Sequence, residues 1–183
     1  MSDSLGTTPS ADLSRTILLD LRAGGTSAGR QLESLFREPL RRFAMRYVRN
    51  AADAEDVVQD VFARALASDA LPDSFRAWLF RVARNICLNR YRDGQHRAHD
   101  HLETRFDLPI EQPGLLTGLV QIEDHGKLLE LLDQLSEAQR EALLLRYVEG
   151  LGREEIAEVL DQPVSVVKSR LFEGVKRLRE ISG

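Results

Sequence analysis

The sequence has a single cysteine and no long apolar run, and both absences narrow the kinds of protein it can encode. One cysteine, Cys87, excludes an intramolecular disulfide framework and fits a reducing compartment. No apolar segment approaches the roughly 18 residues that a membrane-spanning helix needs, so we expect no membrane insertion. Residues 1–10 lack the basic start and apolar stretch of a signal peptide. We therefore predict a cytoplasmic protein.

Enzyme motifs are also absent. No glycine-rich phosphate loop follows a strand pattern, and no Ser, His and Asp residues stand in a nucleophilic motif. His96, His99 and His101 could join Cys87 around a zinc ion, but they lie in polar sequence and no CxxC accompanies them. We predict no active site, cofactor or metal site, and keep a metal sensor using these histidines as a weaker alternative.

Charge is unevenly distributed along the chain. The net charge is -4, yet residues 30–98 carry +4 and residues 99–130 carry -5. Binding to a polyanion depends on local faces more than on the total charge. The acidic total therefore does not exclude nucleic acid as a partner.

Apolar residues recur at helical spacing, and no run alternates with the period of a strand. We predict an all-α protein of two small helical domains joined by a flexible linker, the second domain containing a helix-turn-helix. The segment 93–122 has two Pro, three Gly and three His without a sustained period. The predicted divisions are 1–29 (tail and short helix), 30–94 (first domain), 95–122 (linker) and 123–183 (second domain).

Three helices are predicted in the first domain. An apolar row from Leu32 to Val48 is interrupted by Pro39, which must kink the helix or start a segment. A second helix, opened by Asp53, turns an apolar face inward that runs from Val57 to Leu66 and includes Phe62. A third runs from about Ser74 to Arg92.

The second helix also carries an acidic row, Asp53, Asp56 and Asp60, at spacing i, i+3 and i+7. Acids in a first turn compensate the helix dipole, but Asp60 lies beyond that turn. Asp56 and Asp60 are a like-charge pair costing roughly 0.2–0.5 kcal/mol. This cost suggests a partner surface.

The third helix has a different polar face. Trp78, Arg81, Asn85, Asn89 and Arg92 fall within about 80° of one another at 100° per residue. Planar groups stack on unpaired bases, amides read base edges and Arg neutralises phosphate. The face suits unpaired DNA, although Trp78 serves a core role equally well.

The second domain ends in a helix-turn-helix pattern. "SEAQ" from Ser136 predicts a capping box with Gln139, and Asp161 begins a turn that favours positive φ. The last helix leaves seven residues on its outer face, which would meet DNA: Ser165, Lys168, Ser169, Arg170, Phe172, Glu173 and Lys176. A plain helical hairpin with a solvated face is the alternative.

Two stretches resemble one family. "LLDQLSEAQREALLLRYVEGLGREEIAEVLDQPVSVVKSRLFEGVKRLRE" is similar to the promoter-reading domain of bacterial extracytoplasmic-function (ECF) sigma factors, of the sigma-70 family. "DAEDVVQDVFARAL" with "SFRAWLFRVARNICLNRYR" resembles their core-binding and promoter-melting region. The resemblance covers roughly residues 30–94 and 123–181, in the family's order.

The resemblance implies partners for each face. One helix would dock on the clamp coiled coil of the RNA polymerase β′ subunit through Asp53, Asp56, Gln59, Asp60 and Phe62. The loop 67–74 and the face from Trp78 to Arg92 would capture minus-ten DNA, and the last helix would read the minus-35 element. The resemblance further implies contact with the polymerase β flap, control by an anti-sigma protein, and no covalent chemistry.

Two of the departures from the family pattern lie on the last helix. Glu173 stands where Arg or another polar residue is common, and Gly174 where Ala is common. A glycine inside a helix costs about 1 kcal/mol, and a carboxylate in a major groove can accept a hydrogen bond from cytosine N4. We therefore do not transfer a promoter preference. A stand-alone helix-turn-helix regulator, which would need neither the acidic row nor the asparagine pair, stays as the main alternative.

Overall fold

The computed structural model describes residues 9–48, 50–95 and 125–182, which belong to two compact units. The described residues form helices and no strand, which confirms the all-α prediction. The first unit contains α1 (Ala11–Arg22), α2 (Ala28–Ala44), α3 (Ala51–Ala67) and α4 (Phe75–Gln95). The second contains α5 (His125–Asp133), α6 (Glu137–Tyr147), α7 (Arg153–Leu160) and α8 (Val164–Ser182).

The core of the first unit is built around phenylalanines from α2 and α4. Phe36 and Phe75 meet edge to face with ring centroids 6.4 Å apart, and Phe43 meets Phe80 at 5.3 Å. All four rings are buried, and burying such a side chain contributes roughly 1.5–3 kcal/mol. The helices α2, α3 and α4 pack on one another, and α1 packs on α2 and α4.

Two helix boundaries differ from the sequence prediction. The α3 helix begins at Ala51, because the Asn50 side chain accepts from the Asp53 backbone N–H at 2.8 Å and caps the helix. Pro39 lies buried inside α2, which ends at Ala44. Tyr47 therefore lies beyond the helix, although its ring still packs at 5.3 Å from that of Phe43.

The second unit has the predicted helix-turn-helix. The α6 helix opens with the predicted capping box: Ser136 Oγ accepts from Gln139 N, and Gln139 Oε1 accepts from Ser136 N at 3.2 Å. The α7 helix ends at Asp161, whose φ of 52° confirms the left-handed turn. The α8 helix then packs on α5, α6 and α7.

Gly174 has a packing role on the inner face of α8. The residue is buried, and a Cβ atom added there would lie 3.0 Å from Leu143 Cδ1 on α6. This separation is closer than an ordinary van der Waals contact. Close approach of the two helices thus accounts for glycine at this position.

Some predictions fall outside the described residues. They are the linker beyond Gln95, the linker histidines and the start of the predicted second domain at residue 123. Within the described ranges, no helix is long and apolar enough to cross a membrane.

Candidate nucleic-acid and protein interfaces

The outward face of α3 carries four of the five residues predicted to bind a protein partner. Asp53, Asp56, Gln59 and Asp60 are all exposed. Phe62 differs because only 9% of its surface is exposed and it belongs to the core of the unit. The apolar spacing of the helix predicts this burial, and a docking role for Phe62 stays a prediction.

Leu66, on the same helix, is exposed although its place in the apolar row predicts burial. The prediction that it faces inward was wrong, since 58% of its surface is exposed near the end of α3. Its Cδ2 atom lies close to Gly29, where an added Cβ would be 3.9 Å away. The inward face of α3 is thus shorter than the apolar spacing suggests.

Most acids on α3 have partners within the unit. Asp53 Oδ2 accepts from Asn50 Nδ2 at 2.9 Å, and Glu55 pairs with Arg37 of α2. Asp60 Oδ2 lies 2.8 Å from Arg90 Nη2 of α4.

Arg90 also donates to the Asp53 carbonyl oxygen at 3.2 Å. The ion pair with Arg90 therefore offsets the like-charge cost at Asp60. The spacing of the acids does not predict this contact. Asp56 forms no side-chain bond or ion pair with any residue that the structure describes.

The exposure of the polar face of α4 increases along the helix, from Trp78 to Arg92. Trp78 is half-buried and stacks on Phe75, with centroids 6.0 Å apart and planes inclined by 23°. Arg81 is half-buried, whereas Asn85, Asn89 and Arg92 are exposed.

The amides of Asn85 and Asn89 make no hydrogen bond to a described residue. The two amides are therefore available on the exposed part of α4, and their role in DNA binding stays a prediction. Trp78 thus packs on Phe75 while part of its surface is exposed, and its stacking on a DNA base stays a prediction.

The irregular segment of residues 68–74, which we call loop 68–74, joins α3 to α4. Its turn is closed by Ser68 Oγ, which accepts from Ala70 N at 3.1 Å. Ser74 Oγ accepts from Ala77 N at 3.3 Å and caps α4. Arg22 of α1 donates to the carbonyl oxygens of Ala65 and Ala70, at 3.0 and 3.2 Å.

Arg22 was missed in the sequence, where residues 1–29 were treated as a tail and short helix. No local pattern signals that its guanidinium reaches carbonyls 43 and 48 positions away.

The outer face of α8 carries six of the seven residues predicted to meet a DNA groove. Ser165, Lys168, Ser169, Phe172, Glu173 and Lys176 are exposed, with Phe172 at 72%. Arg170 is half-buried and lies toward the turn between α7 and α8, because its Nη2 atom is 3.5 Å from Gln162 Oε1. Arg170 is thus a flank of the surface rather than part of its centre.

Glu173 has no ion pair with a described residue, although cations stand three and four positions away. Lys176 and Arg177 both approach Glu180 instead, at 3.8 Å. The Glu173 carboxylate consequently projects from the centre of the outer face.

The described parts of the chain offer no candidate metal site. They contain no group of three His, Cys, Asp or Glu side chains able to hold a metal ion. Cys87 is buried, and desolvation raises the pKa of its thiol to about 12, so the thiolate that binds metals is disfavoured. The linker histidines lie outside the described residues.

A helix-turn-helix in one unit, and a helix with exposed amides and arginine in the other, define a transcription protein of the DNA-binding class. Residues 34–97 match the family described as Sigma-70 region 2, and residues 125–178 match Sigma-70, region 4. Known proteins extend this match over most of the chain.

The chain is 33% identical to the RNA polymerase sigma-H factor of Pseudomonas aeruginosa, over 70% of this chain and 72% of that protein. It is 24% identical to the ECF RNA polymerase sigma factor SigW of Bacillus subtilis, over 87% and 91% of the two chains.

A solved structure agrees: the sigma factor RpoE in complex with the anti-sigma factor NepR, from Bartonella quintana. It has a TM-score of 0.65 and 26% identity, covering 85% of this chain and 97% of that one. The chain therefore belongs to the sigma-70 family, as an ECF sigma factor. Sigma factors bind core RNA polymerase and promoter DNA, and are regulators rather than enzymes.

Proposed function

We propose that the protein docks on core RNA polymerase through the α3 surface defined by Asp53, Asp56, Gln59 and Asp60. The observation that carries this proposal is the exposure of these residues within the part of the chain that matches Sigma-70 region 2. Asp56 is central because its carboxylate has no partner among the described residues. A cation of the β′ clamp coiled coil would supply that partner.

The same unit opens promoter DNA. Loop 68–74 and the α4 face of Trp78, Arg81, Asn85, Asn89 and Arg92 receive unpaired minus-ten bases. The exposed amides of Asn85 and Asn89 support this assignment, since an amide can donate to and accept from a base edge. The protein performs no covalent chemistry in this step.

The second unit places α8 in the minus-35 major groove. Lys168 and Lys176 neutralise phosphates, while Ser165, Ser169 and Phe172 approach the groove. Glu173 accepts from cytosine N4 and disfavours guanine, whose groove edge offers acceptors to a carboxylate. This unit also meets the β flap.

Regulation by an anti-sigma protein is part of the proposal. It is supported by the solved relative RpoE, which is in complex with the anti-sigma factor NepR. Because core RNA polymerase and promoter DNA are both in the cytoplasm, the protein acts there. The division into residues 30–94 for polymerase and minus-ten DNA, 95–122 as linker and 123–183 for minus-35 DNA completes the assignment.

The experiment is reconstituted initiation. Core polymerase is mixed with the purified chain and a library of promoters randomised at the minus-35 and minus-ten elements, and RNA starts are sequenced. We expect a single preferred promoter that is transcribed only when both proteins are present. Tight DNA binding by the chain alone, without initiation, would instead support the stand-alone regulator.

A further inference from the structure

Both ends of α1 are tied to the segment that contains loop 68–74. At the C-terminal end of the helix, Arg22 Nη1 donates to the Ala65 carbonyl at 3.0 Å and Nε donates to the Ala70 carbonyl at 3.2 Å. At the other end, Arg76 Nη1 donates to the Pro9 carbonyl at 3.2 Å. These contacts bracket the loop before and after its irregular residues.

The Arg22 contacts meet groups that the helix itself leaves unpaired. Ala65 is within the last turn of α3, whose carbonyls have no partner inside the helix. A guanidinium is favoured at a helix C-terminus, and its hydrogen bonds are charge-assisted. One side chain thus joins the end of α3 to the middle of the loop.

The platform that presents Arg22 is itself well fixed. Ile17 and Leu18 are buried and hold α1 in the unit. The turn after the helix contains Gly24 at φ 76°, and Gly25 donates its N–H to the Asp20 carbonyl at 2.8 Å. The backbone that carries Arg22 is therefore fixed by the packing of α1 and by the turn that follows it.

We propose that Arg22 is a positioning residue for promoter opening, which holds loop 68–74 in the conformation that receives a flipped minus-ten base. This inference rests on the proposed function of the loop. Arg22 does not touch the base in this account, and acts only through the backbone carbonyls that it binds.

The first test measures the loop in the free, full-length protein by hydrogen–deuterium exchange. Arg22→Met keeps the aliphatic stem and removes the donors, and Arg15→Met removes an exposed arginine of the same helix as a matched control. We expect the hydrogen-bonded amides of Ser68 and Ala70 to exchange about tenfold faster in Arg22→Met, because the charge-assisted bonds that hold the loop are lost. Unchanged loop exchange would overturn the proposal.

The second test uses holoenzyme on a fully paired promoter selected by the parent and varied at the captured minus-ten position. The measured quantity is the ratio of opening for each base at the captured position. A merely structural role would lower every rate in proportion and keep this ratio. We expect Arg22→Met to reduce base discrimination about tenfold, the equivalent of one lost contact, while Arg15→Met retains it.

Arg22→Lys gives an intermediate ratio, because an ammonium group cannot span both carbonyls in the way that a guanidinium fork does. It also serves as the working variant if Arg22→Met does not fold. A parent holoenzyme that opens DNA without base discrimination would count against the proposed function. Parental discrimination that survives unchanged in both Arg22 variants would overturn this inference alone.

Discussion

The outward face of α3 and the outer face of α8 are both charged and exposed, but their side chains are held differently. On α3, Asp53 is bonded to Asn50 and Asp60 to Arg90, so the fold itself arranges most of the acids. On α8, Lys168 and Glu173 have no ion pair with a described residue. A charged row is thus a weaker sign of a partner on α3 than on α8.

The two faces also differ in whether their side chains are held in place before a partner binds. On the α3 face, Asn50 holds Asp53 and Arg90 of α4 holds Asp60, and this prior arrangement favours docking of a rigid protein surface. On α8, Lys168 and Glu173 have no such contact to a described residue and can adapt to phosphates and base edges. We expect mutations on the two faces to affect different binding steps.

The largest effect is expected from reversing the charge of the α8 outer face. Lys168→Glu combined with Lys176→Glu should lower promoter-dependent initiation on the order of 100-fold, because two phosphate contacts become repulsive. The dependence of promoter binding on salt should weaken as well. Initiation assays across a salt series measure both quantities.

Arg177→Glu is the matched control for Lys168→Glu alone, since each of these variants reverses one charge. Arg177 is exposed on the same helix but lies outside the row of residues predicted to meet DNA, next to Glu180. We expect a much smaller loss. Equal losses in the two variants would show that general charge, rather than the outer face, attracts the promoter.

Glu173→Arg should change which promoter is preferred. A carboxylate that accepts from cytosine is replaced by a guanidinium that donates to guanine, and such contacts discriminate by about 1–3 kcal/mol. Parallel selection of minus-35 sequences with the parent and the variant measures the change. An unchanged preferred sequence would assign Glu173 to the solvated face.

Gly174→Ala tests the inner face of α8. Alanine gains about 1 kcal/mol of helix propensity, but its Cβ would lie 3.0 Å from Leu143 Cδ1, and overpacking costs typically 1–3 kcal/mol. We expect a net loss of about 1 kcal/mol in the free energy of unfolding, measured with urea. Leu143→Val should recover part of this loss in the double variant. A more stable single variant would contradict the close packing.

The smallest effect concerns stability on α3. Asp60→Asn removes an ion pair whose side chains are 50% and 35% exposed, and such pairs contribute roughly 0.2–1 kcal/mol. Asp56→Asn removes no pair with a described residue and should leave the free energy of unfolding unchanged. If the two variants were equally stable while both lost polymerase affinity, the Arg90 contact would contribute nothing to the free energy of unfolding.

Local features of the fold could be predicted from sequence, whereas contacts between distant residues could not. The Ser136 capping box and the left-handed Asp161 depend on neighbours within a few positions, and both are present. Asp60 meets Arg90 across 30 positions, and no periodicity encodes that contact. The exposure of Leu66 likewise depends on where α3 ends against its neighbours.

The division of labour between the two faces is tested most directly by titrating core polymerase, without DNA, into the fluorescently labelled full-length chain. Asp56→Lys with Asp60→Lys should weaken the complex on the order of 100-fold, because charge pairs across an interface are lost and replaced by repulsion. Lys168→Glu with Lys176→Glu should leave the same affinity unchanged. Equal affinities for the parent and the α3 variant, or a loss confined to the α8 variant, would contradict the account.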